Sequence, residues 1–479
     1  MATYKHGVYA SEKQTGIQTP RKVSAGIPFV VGTAPVNQTD KNNINKIVLC
    51  NTRDEAVAAF GYEAPKYDPV SKLSKYRYSL CEFIDSHFRL FGAAPVILVN
   101  VLDFSGTPTS ENKKTYTEKV SADGTVKIEY PDGLVSAITG SENITYSYDY
   151  NGALIVSAAG WTPGNEVEFA IDFVPAKSVT NTEIIGGVDT SGKKFGLELV
   201  DECFPRFRVV PGQILAPGYS HEPAVAAIMS AKADSINGMF KAVCLIDVPT
   251  DTVKKYGDVA AWKTQNNIVN PNQIVCFPML SLDGVLYHQS TQLSGLMCQV
   301  DADNEDVPYV SPSNKNYQMT AAVLADGTEV YLGLPEANTL NGVGVVTALN
   351  WVGGWKCWAV NTACYPDNTD VKDYLITNRR MFAYVNNNLI LNHWIRVDNP
   401  LRRRQIDNVL TDANLWFNSL AAAEQIAGGR AEFLEADNPT TSVMEGISTF
   451  DVHMTPFAQN KEINFKIAYD PSYLSSLFN

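Results

Sequence analysis

Short apolar runs bounded by glycine and proline recur along this chain, with helix-like stretches between them, and that alternation constrains the fold more than any other feature. Ile27–Val31 lies within AGIPFVVGTAP, Pro95–Phe104 reads PVILVNVLDF, and Phe240–Pro249 reads FKAVCLIDVP. Apolar runs of this length without polar alternation fit strands buried on both faces. Helical spacing precedes the second run around Leu80–Phe91 and the third over Glu222–Ile236. Strand, helix, strand in succession implies right-handed crossovers and a sheet covered on both sides. GLELVDECF reads as a further helix, RFRVVPGQILAPG as a strand, and Gln273–Leu280 as another strand.

At Ser105 the chain changes character. Through about Val179 it is rich in Thr, Ser, Asn and Gly, with alternating pieces TVKIEY, ITYSYDY, ALIVSA and EVEFAIDF between turn residues. Strands at that spacing predict a small β-sandwich or barrel. Five lysines stand against eleven acidic residues between Ser105 and Glu183. Because the α/β pattern resumes directly afterwards, 105–179 reads as an outward-facing insertion into a core made of 26–104 and 180–350.

Both ends of the chain read as extended. Tyr4, His6 and Val8 alternate with Lys5, Gly7 and Tyr9, so 1–25 is an arm. Near the other end Phe450, Val452 and Met454 alternate with Asp451, His453 and Thr455. Ile463, Phe465, Ile467 and Tyr469 alternate with Glu462, Asn464, Lys466 and Ala468. PFAQN between these stretches suggests a C-terminal hairpin. Ahead of it, Asn399 as N-cap and Pro400 at the first helical position predict a helix with the stripe Ile406, Leu410, Ala413, Phe417 and Leu420, stopped by Gly428 and Gly429. The expected fold is an α/β core, a mixed sheet flanked by helices, with an inserted all-β domain. An α+β C-terminal domain over 351–455 follows, and extended terminal strands, 1–25 and 456–479, flank the whole.

Composition narrows the function. The formal charge is −13 and no basic run is interleaved with aromatics, so no nucleic acid and no anionic membrane is expected as a partner. No apolar run reaches about 18 residues and the N-terminus lacks a secretion-signal layout, so neither membrane insertion nor export by that route is expected. The eight cysteines are scattered without a CxxC and read as reduced, buried thiols. The six histidines are dispersed without HExxH, and His221 and His393 read as packed or solvated. No catalytic, cofactor-binding or metal-ligating residues are expected, and no enzyme. The nearest approach to a catalytic motif, GVDTSGKK at Gly187–Lys194, has the GxxxxGK spacing of a phosphate-binding loop. Lys194, however, stands where a Ser or Thr would hold Mg²⁺, and Ile184–Ile185 is too short for the launching strand. It reads as a turn ahead of a helix.

One charge cluster asks for a reason. Arg402, Arg403 and Arg404 fall in the first turn of the predicted helix, where the dipole already presents positive charge and cations are mildly unfavourable. Pairing with Asp398 and Asp407 is one reading, and contact with an acidic partner surface is the other.

HGVY (His6–Tyr9), AGIPFVVGTAP, IIGGVDTSGKKFGLE (Ile184–Glu198), VVPGQILAPGYS and NRRMFAYVNNNLI, together with the C-terminal alternation, occur in an order that resembles the sheath proteins of contractile phage tails and related contractile injection particles. The resemblance does not cover Ser105–Val179, which is similar to the variable domains that decorate sheaths. It implies a structural subunit whose partners are itself, in hexameric rings stacked as a helical sheath, the inner tail tube protein, and baseplate and tail terminator proteins. It also implies assembly in the host bacterial cytoplasm into a virion tail that contracts without ATP to drive the tube through an envelope. On this reading Tyr4, His6, Val8, Ile463, Phe465, Ile467 and Tyr469 exchange strands between subunits, since extended arms need a host sheet, and Arg402, Arg403 and Arg404 face the tube. The other reading the sequence admits is a non-contractile virion or adhesion component whose β insert binds a glycan.

Overall fold

The computed structural model describes residues 21–22, 26–39, 43–106, 112–131, 133–140 and 143–478. Its centre is an eight-stranded sheet in the order Gly354–Trp358, Val345–Trp351, Gln273–Cys276, Val243–Asp247, Gln213–Leu215, Pro28–Gly32, Val96–Asn100, Ile47–Cys50. The inner strands run parallel, and the first and last are antiparallel to their neighbours. Both faces are apolar, as the unbroken hydrophobic runs require. Val30, Leu98, Leu245 and Ile274 pack with Leu80, Leu293 and Leu296 from the helices Ser79–Ile84 and Gln289–Asp303. Phe29, Ile97, Ile246 and Val275 pack on the other side with Val225 and Met229 from Pro223–Asp234.

Several expectations shorten in the structure. The strand expected across RFRVVPGQILAPG is only Gln213–Leu215, because the helix Cys203–Phe207 continues into it and Arg208 turns left-handed at φ 59°. Gln273–Leu280 divides: Gln273–Cys276 stays in the main sheet, while Met279–Leu282 joins a second, five-stranded sheet with Ala321–Val323, Val285–Tyr287, Leu73–Lys75 and Lys66–Asp68. Gly354–Trp358, expected in the C-terminal domain, is instead an edge of the main sheet, zipped to Val345–Trp351 by the tight turn at Gly353 and Gly354.

The insertion forms two three-stranded antiparallel sheets, Leu134–Thr139/Glu166–Val174/Lys113–Lys119 and Ile144–Tyr148/Leu154–Ala158/Thr125–Ile128. Inward positions of the alternating strands, among them Val126, Leu154, Val156, Phe169, Ile171 and Phe173, give it a core of its own.

The C-terminal part consists of helix α1 (Ile376–His393), helix α2 (Arg403–Ala422) and a ribbon of strands β1 (Gly428–Glu432) and β2 (Asp451–Thr455). α1 is pinned to the core. Buried Arg380 makes a two-pronged bond with buried Asp301, and the Asn387 side chain accepts from Lys241 N–H at 2.9 Å and donates to Lys241 O at 2.8 Å. The helix expected from Asn399 begins later: Asp398 is left-handed at φ 64°, Pro400 lies ahead of the helix, and extended Arg402 is the N-cap. Gly428 and Gly429 do not stop it. Left-handed Glu424 does, with Gln425 N–H returning to Leu420 O at 2.9 Å and Glu424 N–H to Ala421 O at 3.1 Å, a Schellman closure.

Candidate assembly interface

The expected C-terminal hairpin is corrected by the register of β2. Asp451 pairs with Glu432 and Thr455 with Gly428, so β2 finds its partner in β1, and residues 456–470 have no strand partner among the described residues. The two alternating stretches look alike in sequence, yet among the described residues only the first has a strand partner.

The ribbon is two-faced because opposite residues share a side. Arg430, Glu432, Asp451 and His453 form the open face, with Arg430 Nε 2.9 Å from Glu432 Oε1 and His453 Nε2 3.1 Å from Asp451 Oδ2. Ala431, Val452 and Met454 turn to α2 and pack with Phe417 and Leu420. Gly429 must be glycine here, since a Cβ would lie 2.8 Å from the Phe417 ring.

The two edges of the ribbon differ. Ala431 N–H donates to Asn414 Oδ1 at 2.9 Å and Asn414 Nδ2 donates to Ala431 O at 3.1 Å, so an α2 side chain occupies the outer edge of β1. With the Ala431 backbone turned towards Asn414, its opposite neighbour Val452 must turn its own N–H and C=O outward, and Met454 follows two residues on. No described strand pairs with that side of β2. Directly beside it runs a groove of about 740 Å³ whose lining mixes apolar Leu401, Ile406, Phe450 and Val452 with polar Arg396, Gln405 and Glu445.

The chain beyond β2 is the complement of this edge. Lys461 Nζ sits 5.7 Å from the centre of the Tyr374 ring, and past that point the segment leaves the body. Ile463, Phe465, Ile467 and Tyr469 are 64%, 84%, 96% and 80% exposed, an apolar row that nothing among the described residues covers. Tyr4, His6 and Val8 lie outside the described residues.

Arg402, Arg403 and Arg404 are exposed at the start of α2, and Arg403 Nε lies 3.0 Å from Asp407 Oδ1, so local pairing holds for one of the three. Sequence reasoning missed their setting. The turn between α1 and α2 exposes Leu391, Trp394, Ile395 and Val397 beside them, and Arg396 pairs with Asp412. Leu391, Trp394 and Ile395 stand at helical spacing, i, i+3 and i+4, which reads as a buried stripe, so no signal in the sequence marks them as left exposed.

The GVDTSGKK loop closes on itself. Gly187–Val188 pairs with Lys194–Phe195, and Asp189 Oδ1 accepts from Ser191 N–H at 2.8 Å, Ser191 Oγ at 2.6 Å and Lys193 N–H at 2.9 Å. The amides that would cradle a phosphate are taken by a carboxylate of the same loop, whose pKa those bonds hold below the usual range. All eight cysteines are buried and free. His221 Nε2 lies 3.3 Å from Glu222, and burial lowers the pKa of His393. Among the described residues no group of three His, Cys, Asp or Glu could hold a metal ion, and no helix is long and apolar enough to cross a membrane.

No protein-family model matches the chain. It is 22% identical over 501 residues to the tail sheath protein of Burkholderia phage BcepMu, covering 99% of both chains. It is 21% identical over 308 residues to a putative prophage major tail sheath protein of Pseudomonas aeruginosa strain UCBPP-PA14, covering 62% of this chain and 74% of that one. Among solved structures, a chain of the anti-feeding prophage (AFP) baseplate matches with a TM-score of 0.58 at 13% identity, over 98% of this chain and 100% of the other. The sheath complex of the extracellular contractile injection system PVC in its contracted state matches with a TM-score of 0.56 at 12% identity, over 99% of each chain. The chain thus resembles contractile-tail sheath proteins from end to end, and its mixed α/β fold is theirs. A glycan-binding adhesion component is not favoured by these likenesses.

Proposed function

We propose that this chain is the structural subunit of a contractile tail sheath, in a phage or a phage-like injection particle, acting by assembly rather than by catalysis. The observation that carries this reading is the presence, on the same molecule, of an exposed segment of alternating apolar residues, Ile463–Tyr469, and of a strand edge at β2 that no described strand pairs with, beside a partly apolar groove. A segment that lies off its own chain's edge can be taken up by another copy's, and a head-to-tail link of that kind does not close but propagates as a helix.

Charge and facing are both satisfied in one antiparallel register. Antiparallel addition places Lys466 opposite Asp451, Phe465 opposite Val452, Asn464 opposite His453 and Ile463 opposite Met454, with Ile467 reaching Phe450. In the antiparallel register the apolar side chains of the added strand enter the groove and its polar ones join the charged face. About five hydrogen bonds at roughly 0.5–1.5 kcal/mol each, with burial of Ile463, Phe465 and Ile467, make each link worth several kcal/mol.

Tyr4, His6 and Val8 supply a second exchanged strand on this reading. The subunits stack as hexameric rings around an inner tube, with baseplate and terminator proteins at the two ends, and the sleeve takes its place in the virion tail after assembly in the host cytoplasm. Arg402, Arg403 and Arg404 face the tube, and the exposed Trp394 turn lies alongside them. Contraction keeps the strand links and swings the α/β bodies, driving the tube through a cell envelope. Electron microscopy of the purified full-length chain tests the assignment. Hollow, striated tubes are expected, and monodisperse monomers at every concentration would remove it.

A further inference from the structure

The insert does not hang from its linkers alone. Where they leave the body the two linkers are stapled: Lys177 N–H donates to Asp103 O at 2.8 Å, and Lys177 Nζ to the Asp103 carboxylate at 2.8 Å. A second seam joins parts of the chain remote from those linkers. The Arg53 guanidinium, from the body, lies 4.4 Å from the centre of the Tyr62 ring and 4.2 Å from that of Tyr150 in the insert. Arg77 pairs with buried Glu63 of the body and donates to Pro131 O of the insert at 2.8 Å. Gln38 accepts from Tyr62 N–H at 2.8 Å and donates to Gly152 O at 3.3 Å, while Asn37 donates to Gly133 O at 3.1 Å. Gly152, at φ 83°, sits so close that a Cβ would come within 1.9 Å of Tyr62 O.

A tethered module free to swing would need none of this. Units joined by thin polar contacts move relative to each other by default. Here the body spends side chains on the insert's own backbone carbonyls, and a cation is held between one ring from each unit. Both arrangements exist in a single relative orientation. Arg77 is itself held by buried Glu63, so the donor that meets Pro131 O is fixed in place by the body.

We propose that the insert is locked to the α/β body as one rigid piece, with Arg53 and Arg77 as the lock, so that whatever the insert's outer surface meets is carried wherever the body moves. The inference is independent of the sheath assignment. Electron–electron distance measurements on the full-length chain test it, with nitroxides on Thr117→Cys in the insert and Lys255→Cys in the body. The native thiols are buried, and labelled chains are diluted with unlabelled ones. The expected result is one narrow distance peak that broadens roughly twofold in the Arg53→Ala/Arg77→Ala variant. A broad distribution in the unmodified seam would overturn the proposal, as would an unchanged width in the double variant. Gln38→Ala removes the seam bond to Gly152 O, and the bond that fixes Gln38 to Tyr62, without touching a charge. Should the double variant misfold, partial broadening in Gln38→Ala supports the lock and an unchanged width overturns it.

Discussion

Asn414 holds Ala431 by both of its backbone groups, standing in for a strand that is not there. That clamp decides which edge of the ribbon is open. Replacing Asn414 with Leu leaves a buried N–H and C=O unpaired, at a cost of about 1–3 kcal/mol. Urea unfolding of the variant should show that loss, and a stability equal to wild type would mean that the clamp does not hold β1.

Reversing charge at the start of α2 should affect assembly and not folding. Arg402, Arg403 and Arg404 are exposed, and the one ion pair among them is on the surface, so the triple Glu variant should keep its stability within about 0.5 kcal/mol. Glutamates near a helix N-terminus are if anything favoured. Co-expression with the tube protein should then yield few extended sleeves. Normal sleeves from the variant would take these arginines off the tube-facing surface.

A partly buried imidazole paired with a buried carboxylate makes stability depend on pH. His288 Nδ1 lies 2.8 Å from the buried Glu82 carboxylate, which also accepts from His288 N–H at 2.7 Å and Thr291 Oγ1 at 3.0 Å. Burial opposes charge on the ring, but Glu82, with Asp247 behind it, more than offsets this and pushes the pKa up from 6.5 to about 9. A pKa raised on folding contributes stability that is complete below the unfolded value and lost as pH rises through the folded one. Burial pushes Lys263 down to about 8, which works the opposite way at alkaline pH, so the informative comparison is with His288→Gln. Wild type should exceed that variant in thermal stability at pH 6, and the gap should shrink towards pH 9. A gap that does not change with pH would contradict the His288–Glu82 pairing.

Legibility in the sequence followed the range of the interactions involved. Pro28–Gly32, Val96–Asn100 and Val243–Asp247 were readable because a strand buried on both faces must be apolar throughout. The stripe Ala413, Phe417, Leu420 was readable for the same reason on a helix. The break at Ser105 was visible as a change in turn chemistry. Partners were not visible. Alternation marks both 451–455 and 463–469 as strand-like but carries no record of what each pairs with. The amide clamps Asn387–Lys241 and Asn414–Ala431 bridge segments with no local signal. Helix ends also escaped, because Glu424 adopts the left-handed turn that glycine usually marks.

The central claim is that one copy's C-terminal strand lies on another copy's β2, and inter-copy cross-linking tests it most directly. Directly opposed residues with outward-turned backbone lie about 5.5 Å apart at Cα, within reach of a disulfide. Chains carrying Val452→Cys are mixed with chains carrying Phe465→Cys under mild oxidation. The account predicts a disulfide-linked product from the mixture and from neither chain alone. Absence of that product from assembled material would contradict it.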